Sequence, residues 1–234
     1  MEIFYSPEII NGKNELGEEE SFHCVKVLRH REGDEILIAD GIGNFFKAKI
    51  ILAHKAHCSF EVTEKWKGEN ALKFQLHLAI APTKNLDRME WLCEKATEIG
   101  VSEISFLECE HSERRKINLE RMKRISVSAM KQSMRASVPK LNEMVGFQSF
   151  ISERSKVKGE KFICHLSEKN ISLASAYTKG NDAIVLIGPE GDFSNEELKL
   201  AADNGFTEVI LGNSRLRTET AALVALVQLN SLVQ

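Results

Sequence analysis

The sequence predicts a small β-rich domain followed by a larger α/β domain built on a parallel sheet. Three observations predict it. Residues 1 to about 70 read mostly as strands interrupted by one helix. From Phe74 onward, short runs that are apolar throughout alternate with amphipathic helical patterns. Near the C-terminus, two glycine-bearing turns each follow an apolar run and precede a helical pattern. Apolar strands separated by amphipathic helices belong in a largely parallel sheet covered on both faces. A chain of 234 residues has room for one or two domains at ~100–200 residues each.

In the first domain a helix is expected from about Glu19 to His30, with Phe22, Val25 and Leu28 on a shared face. Glu35 to Asp40 is a strand candidate, Gly41 to Asn44 a turn, and Phe45–Leu52 and Ser59–Trp66 continue with partial alternation. These segments suggest a small β-barrel. Gly41-Ile42-Gly43 lacks the third glycine and the following helix of a dinucleotide fingerprint, so it reads as a hairpin turn. Lys67-Gly68-Glu69-Asn70 is polar, contains glycine and reads as a linker, which gives domains of 1–67 and 72–234. Beyond it the strand candidates are Phe74–Ala81, Ser102–Leu107, Lys161–Leu166, Ala183–Ile187 and Glu208–Leu211. The helix candidates are Asp87–Ile99, Asn118–Ser137, Glu196–Asn204 and Glu219–Val233.

Composition excludes several classes. Hydrophobic residues make up 43% and charged residues 28%, ordinary for a globular protein with a real core. No stretch of ~20 apolar residues is present, so no membrane span is expected. MEIFYSPEII lacks a basic start followed by an apolar run, so no signal peptide is expected and the chain reads as cytoplasmic. Cys24, Cys58, Cys93, Cys109 and Cys164 are scattered, with no C-x-x-C pair, and read as reduced thiols. The histidines lack metal-ligand spacing, and no metal site is expected. Net charge is only −3, yet Glu110 to Lys140 carries nine Lys/Arg against three Glu. That stripe fits either a localised phosphate contact or a solvated helix face.

The two turns carry the chemistry. The first runs Ile187-Gly188-Pro189-Glu190-Gly191-Asp192-Phe193-Ser194, and the second Leu211-Gly212-Asn213-Ser214-Arg215-Leu216-Arg217-Thr218-Glu219-Thr220-Ala221. Ligand sites on open α/β sheets lie beyond the carboxyl ends of the strands, where both turns fall. Neither turn is a phosphate loop, and Pro189 deletes an amide donor from the first. The pair suits a ligand held by a few backbone groups, such as an adenine with its ribose. Ser194 and Glu197 form an S-x-x-E capping box, a structural role. Glu190 sits where a charge should face a ligand, a partner subunit or solvent. Arg217 opens the final helix, with Thr218 as its expected N-cap; a cation there opposes the helix dipole and calls for an anion nearby. Glu219 complements that dipole, so a structural and a functional role both stay open.

These turns resemble the bacterial 16S rRNA uracil-N3 methyltransferase family of the SPOUT superfamily, whose signatures are I-G-P-E-G-G-[FL]-S and L-G-x-x-[IV]-L-R-T-E-T-A. Supporting matches run along nearly the whole chain: His23, Val27, Leu28 and Arg29; Lys84, Met89, Glu90, Lys95, Glu98 and Gly100; Ser112-Glu113-Arg114; Gln132, Arg135 and Pro139. The chain departs from the pattern at Asp192, where a second glycine is usual, and at Arg215, where Ile or Val is usual.

The resemblance implies a SPOUT methyltransferase domain with a C-terminal trefoil knot, preceded by a PUA-like RNA-binding β-barrel. It implies a homodimer acting on 16S rRNA of the 30S subunit, with S-adenosylmethionine as methyl donor and no metal. Leu166, Ile187, Gly188, Pro189, Glu190, Gly191, Leu211, Gly212, Leu216 and Thr218 would line the adenosine pocket. Arg29, Arg31, Arg114, Arg115 and Arg135 would hold phosphates, with Gln132 as a polar RNA contact. Arg217 would stabilise the charge left on the base when N3 loses its proton, with Glu190 and Glu219 positioning the base or taking that proton. The alternatives are a SPOUT ribose 2′-O-methyltransferase of rRNA or tRNA, a non-catalytic RNA-binding assembly protein and, least favoured by the missing fingerprint, a nucleotide-dependent oxidoreductase.

Overall fold

The computed structural model describes residues 2–68, 73–166 and 171–231. These divide into two compact units. The first holds the N-terminal residues and also Val127–Val138, which the contiguous division at 67/72 assigns to the second domain. Packing explains the difference: Met130 and Ala136 are buried in one apolar cluster with Ile3, Leu37, Ala39 and Phe45. The expected linker Lys67–Asn70 lies partly outside the described residues.

The first unit carries a four-stranded sheet in the order β1 (Ile3–Tyr5), β2 (Glu35–Ala39), β3 (Asn44–Leu52), β4 (Ser59–Lys67). β1 runs parallel to β2, and the other pairs are antiparallel. The Gly41–Asn44 turn forms as expected. Buried Asp40 anchors it by accepting bonds from the amides of Ile42 (2.9 Å) and Asn44 (3.0 Å). The expected helix is two pieces: α1 (Glu18–Phe22) continues as one π-helical turn, His23–Val27. The extra residue in that turn rotates the buried face. Ser21 and Cys24 face the core, whereas Phe22, expected there, is 53% exposed.

The second unit is a six-stranded parallel sheet flanked by helices. Its elements are β5 (Leu76–Ile80), α2 (Leu86–Ile99), β6 (Glu103–Glu108), α3 (Leu119–Gln132), β7 (Lys140–Gly146), α4 (Phe147–Arg154), β8 (Glu160–Cys164), α5 (Leu173–Ala176), β9 (Ala183–Ile187), α6 (Asn195–Asp203), β10 (Thr207–Val209) and α7 (Thr218–Ser231). α3 belongs to both units, its last turn and a half to the first. Strand order is β10-β8-β9-β5-β6-β7, parallel throughout. Side chains alternate between faces with period two. Leu76, Leu78 and Ile80 of β5 join Val185 and Ile187 of β9 in a cluster with α2 and α7. Ala79 of β5 joins Ile184 and Leu186 of β9 in a second cluster with α4 and α6. Two covered faces are why these strands read as apolar runs, interrupted only by His77 in β5.

This order fixes where ligand chemistry can occur. After β7 the chain crosses back to the far side of β5, so the carboxyl ends of β8, β9 and β10 lie side by side. The segment entering the second turn is held from two directions: the His165 amide donates to the Val209 carbonyl (3.1 Å), and the Ile210 amide donates to the Ile171 carbonyl (2.8 Å).

Candidate active site at the ends of three parallel strands

The loops after β8, β9 and β10 enclose a cleft of about 620 Å³. Both glycine turns line it. Of the residues singled out from sequence, Leu166, Ile187, Gly188, Pro189, Glu190, Leu211, Gly212, Leu216, Arg217 and Thr218 form its walls. One bond joins the turns directly: Nη2 of Arg215 donates to the Glu190 carbonyl at 3.3 Å. The usual Ile or Val at position 215 has no such donor.

Gly191 and Glu219 are not on these walls. Gly191 sets the path of the first turn, since a Cβ there would lie 2.9 Å from Cβ of His111. Glu219 is 8% exposed in the first turn of α7, with Oε1 3.6 Å from Nε of Arg88 and Oε2 making no hydrogen bond among the described residues. Thr218 is the first helical residue rather than the cap; the Arg217 carbonyl accepts the first helical bond, from the Ala221 amide (2.7 Å). The Arg217 guanidinium is exposed and makes no hydrogen bond or ion pair among the described residues, so its charge faces the cleft uncompensated. Oε1 of Glu190 accepts from the Lys84 amide (3.2 Å), which ties the first turn to the loop after β5.

Sequence reasoning missed several wall residues: Cys164, His165, Asp192, Val209, Ile210, Ser214, Arg215 and Ala221. Burial pushes the Cys164 thiol up, so it stays protonated. Asp192 is the most informative. Its φ is +64°, the left-handed region in which glycine is at ease and Asp is tolerated better than most residues. Its carboxylate also reaches Nδ1 of His165 at 2.8 Å. The capping box at α6 forms as predicted: the Glu197 amide donates to Ser194 Oγ (3.3 Å) and the Ser194 amide to Glu197 Oε2 (3.0 Å).

Residues 70–230 match the RNA methyltransferase domain family, and residues 16–63 match the RNA methyltransferase PUA domain. Over 224 residues the chain is 30% identical to ribosomal RNA small subunit methyltransferase E of Rickettsia conorii, covering 95% of this chain and 91% of that one. The chain belongs to the ribosomal RNA small subunit methyltransferase E family. Solved structures agree. A probable rRNA-methyltransferase from Porphyromonas gingivalis superposes with TM-score 0.90 at 40% identity, covering 99% of this chain and 98% of that chain. A ribosomal RNA small subunit methyltransferase E from Neisseria gonorrhoeae, bound to S-adenosyl methionine, superposes with TM-score 0.86 at 28% identity, covering 100% and 98%. Membership in the methyltransferase E family implies the knotted C-terminal segment.

The basic residues singled out from the sequence are divided between the two units, and several of them have protein partners. Arg29 and Arg31 lie in the first unit, with Gln132 and Arg135, and Arg114 and Arg115 in the second. Arg114 is spent on backbone: Nε reaches the carbonyls of Thr83 and Lys84 at 3.2 Å each, and Nη2 that of Lys84 at 2.6 Å. Arg115 pairs with Glu108 (3.2 Å), Lys123 with Glu120 (2.8 Å), Lys131 with Glu20 (2.8 Å) and Arg121 with Glu90. The exposed pairs among these contribute only ~0–1 kcal/mol; Lys131–Glu20 is part-buried.

Proposed function

We propose that this chain transfers a methyl group from S-adenosylmethionine to N3 of a uridine in 16S rRNA. One observation carries the reading: two turns that are distant in sequence line a single cleft and are bonded to each other through Arg215 and Glu190. The Neisseria relative, with the same fold, has S-adenosyl methionine bound. The residues fit such a ligand. The volume of about 620 Å³ falls within the ~300–1,000 Å³ of small-molecule sites. Leu166, Ile187, Leu211 and Leu216 supply apolar walls for a flat base, with backbone of Gly188, Pro189, Gly212 and Thr218 between them. When bound, S-adenosylmethionine supplies an already activated methyl group.

The remaining work falls to the protein. It must hold the uracil ring in line and manage the N3 proton. Loss of that proton leaves negative charge on O2 and O4 of the base. Arg217, a cation at the cleft without a protein partner among the described residues, stabilises that charge more in the transition state than in the ground state. Glu190 has one oxygen fixed by the Lys84 amide and a second available to orient the base or accept the proton. Glu219 instead complements the α7 dipole and holds Arg88. Arg29, Arg31, Arg115 and Arg135 hold rRNA phosphates, Arg114 can do so only by giving up its bonds to the Thr83 and Lys84 carbonyls, Gln132 makes a polar RNA contact, and the enzyme acts as a cytoplasmic homodimer on the 30S subunit.

The test is single-turnover methylation by Arg217→Ala, read by mass spectrometry of nucleosides. The expected product of the unmodified enzyme is 3-methyluridine. The variant should lose roughly 10²–10³-fold in rate, as for loss of one charge-stabilising donor, while binding the methyl donor within a fewfold. A near-normal rate refutes the role of Arg217, and a ribose-methylated product refutes the base assignment.

A further inference from the structure

On the cleft wall the ends of β8 and β9 bring together two polar side chains that the reaction scheme leaves unused. His165 follows β8 directly, and Asp192 lies in the turn after β9. Both line the cleft, with side chains 23% and 40% exposed. Nδ1 of His165 and Oδ2 of Asp192 are 2.8 Å apart. We propose that this His165–Asp192 pair is a hydrogen-bonding site for the ribose hydroxyls of the adenosyl methyl donor; it rests on the donor reading given above.

The chemistry follows from the donor and acceptor inventory. A carboxylate only accepts, so His165 must donate from Nδ1. That bond fixes the orientation of the ring beside the carboxylate. Asp192 Oδ1 accepts from the Phe193 amide at 2.8 Å, yet each carboxylate oxygen has room for a second donor. Asp192 therefore presents open acceptor positions to the cleft. A vicinal diol offers two O–H donors, and carboxylate recognition of a ribose hydroxyl is the established solution in other nucleotide sites. The pair is also flanked by the adenosine wall, since Leu166 adjoins His165 and the first glycine turn contains Asp192. Uracil has no comparable pair of hydroxyl donors, and Arg217 and Glu190 already serve its polar edge.

Asp192 is built to stay in place. Its amide donates to the Pro189 carbonyl (3.0 Å), closing the turn, and its carbonyl accepts from Nδ1 of His111 (3.0 Å). These bonds hold a non-glycine residue at φ +64°. A glycine here, as the related signature has, would adopt this backbone with less strain but offer no carboxylate. The carboxylate, bonded to the Phe193 amide and to His165, is what Asp192 adds over glycine at this backbone.

The test is calorimetric binding of S-adenosylhomocysteine and of its 2′-deoxy and 3′-deoxy analogues, with no RNA and no turnover. The unmodified protein should bind the parent about tenfold more tightly than at least one deoxy analogue, the usual worth of one such bond. Asp192→Gly and His165→Phe should each weaken the parent about tenfold and bind parent and deoxy analogue alike. Asp192→Gly should melt at or above the temperature of the unmodified protein, so its lost affinity is not lost folding. Variants that keep full affinity, or that discriminate against the deoxy analogue as strongly as the unmodified protein, overturn the ribose assignment alone. Failure of the unmodified protein to bind the parent overturns the donor reading, and this assignment with it.

Discussion

Acid should unfold the α/β unit through His77. This side chain lies on β5 and is 5% exposed. Its Nε2 is 2.8 Å from Ser105 Oγ, and its Nδ1 is 3.9 Å from Glu103. Burial lowers its pKa from 6.5 to about 4, helped by Arg154 and Lys140 and opposed by Glu103. Between these values the unfolded chain binds a proton that the folded chain refuses. Stability from this group is therefore complete above about pH 6.5 and is lost as pH falls towards 4. The drop of some 2.5 units, at ~1.36 kcal/mol per unit, corresponds to about 3 kcal/mol. Glu103 adds nothing of opposite sign. Burial would raise its pKa, but the Asn142 bond and the Arg154 charge hold it below the ordinary value, so any stability it contributes is likewise lost as pH falls. Urea unfolding followed by far-UV circular dichroism, at half-unit steps from pH 7.5 to 4.5, measures the slope. His77→Gln should be less stable at pH 7 by ~1–3 kcal/mol, since it disturbs a buried bonded site. It should also lose roughly 3 kcal/mol less on acidification than the unmodified protein. An equal pH slope in the two proteins would refute the argument, because the proton would then be binding elsewhere.

Two further outcomes are expected. Gly191→Ala should lower the melting temperature and weaken binding of the methyl donor, because its Cβ would meet Cβ of His111 at 2.9 Å; shortening the obstacle in Gly191→Ala/His111→Gly should recover part of both, as read by calorimetry. Ser194→Ala should cost ~1 kcal/mol of stability through loss of the α6 cap. Glu197→Ala should cost more, since Glu197 Oε1 also accepts from the Glu110 amide at 2.9 Å, and the double variant in urea unfolding should cost less than the two single losses added.

Much of the fold was legible because its code is local. The parallel strands are buried on both faces, so Ala183–Ile187 stands out as an unbroken apolar run and Leu76–Ile80 as one interrupted only by His77. The α6 capping box is visible as four residues. What sequence reading missed lacks a local code. β1 is three residues long, too short for any period, and exists because β2 pairs with it. β7 reads Lys140-Leu141-Asn142-Glu143-Met144-Val145-Gly146, polar for a parallel strand because it lies at the sheet edge, where Asn142 reaches Glu103 (2.6 Å) and Ser105 (2.8 Å). The π turn at His23–Val27 inserts a residue that a period of 3.6 cannot register; Val25 and Leu28 pack against the core, and of the three residues read as one face only Phe22 is exposed. The placement of residues 127–138 with the first unit depends on Met130 and Ala136, whose apolar character fits either unit equally well.

The site divides along the same line. Its glycine turns were visible because close backbone approach requires glycine wherever it occurs. Glu190 and Arg217 were visible with them, but His165, Asp192 and Arg215 were not legible as cleft groups, because their contacts depend on strand order. β9 lies between β8 and β5, and β10 on the far side of β8, an arrangement that no single segment encodes. Only that order sets His165 beside Asp192 and Arg215 beside the Glu190 carbonyl. Asp192 and Arg215 are also the two positions at which the turns depart from the signature they resemble. Each departure places a side chain on the cleft and forms a bond between segments at least 25 residues apart. The substitutions therefore act on the binding surface, and Arg217 and Glu190, which carry the proposed chemistry, follow the signature unchanged.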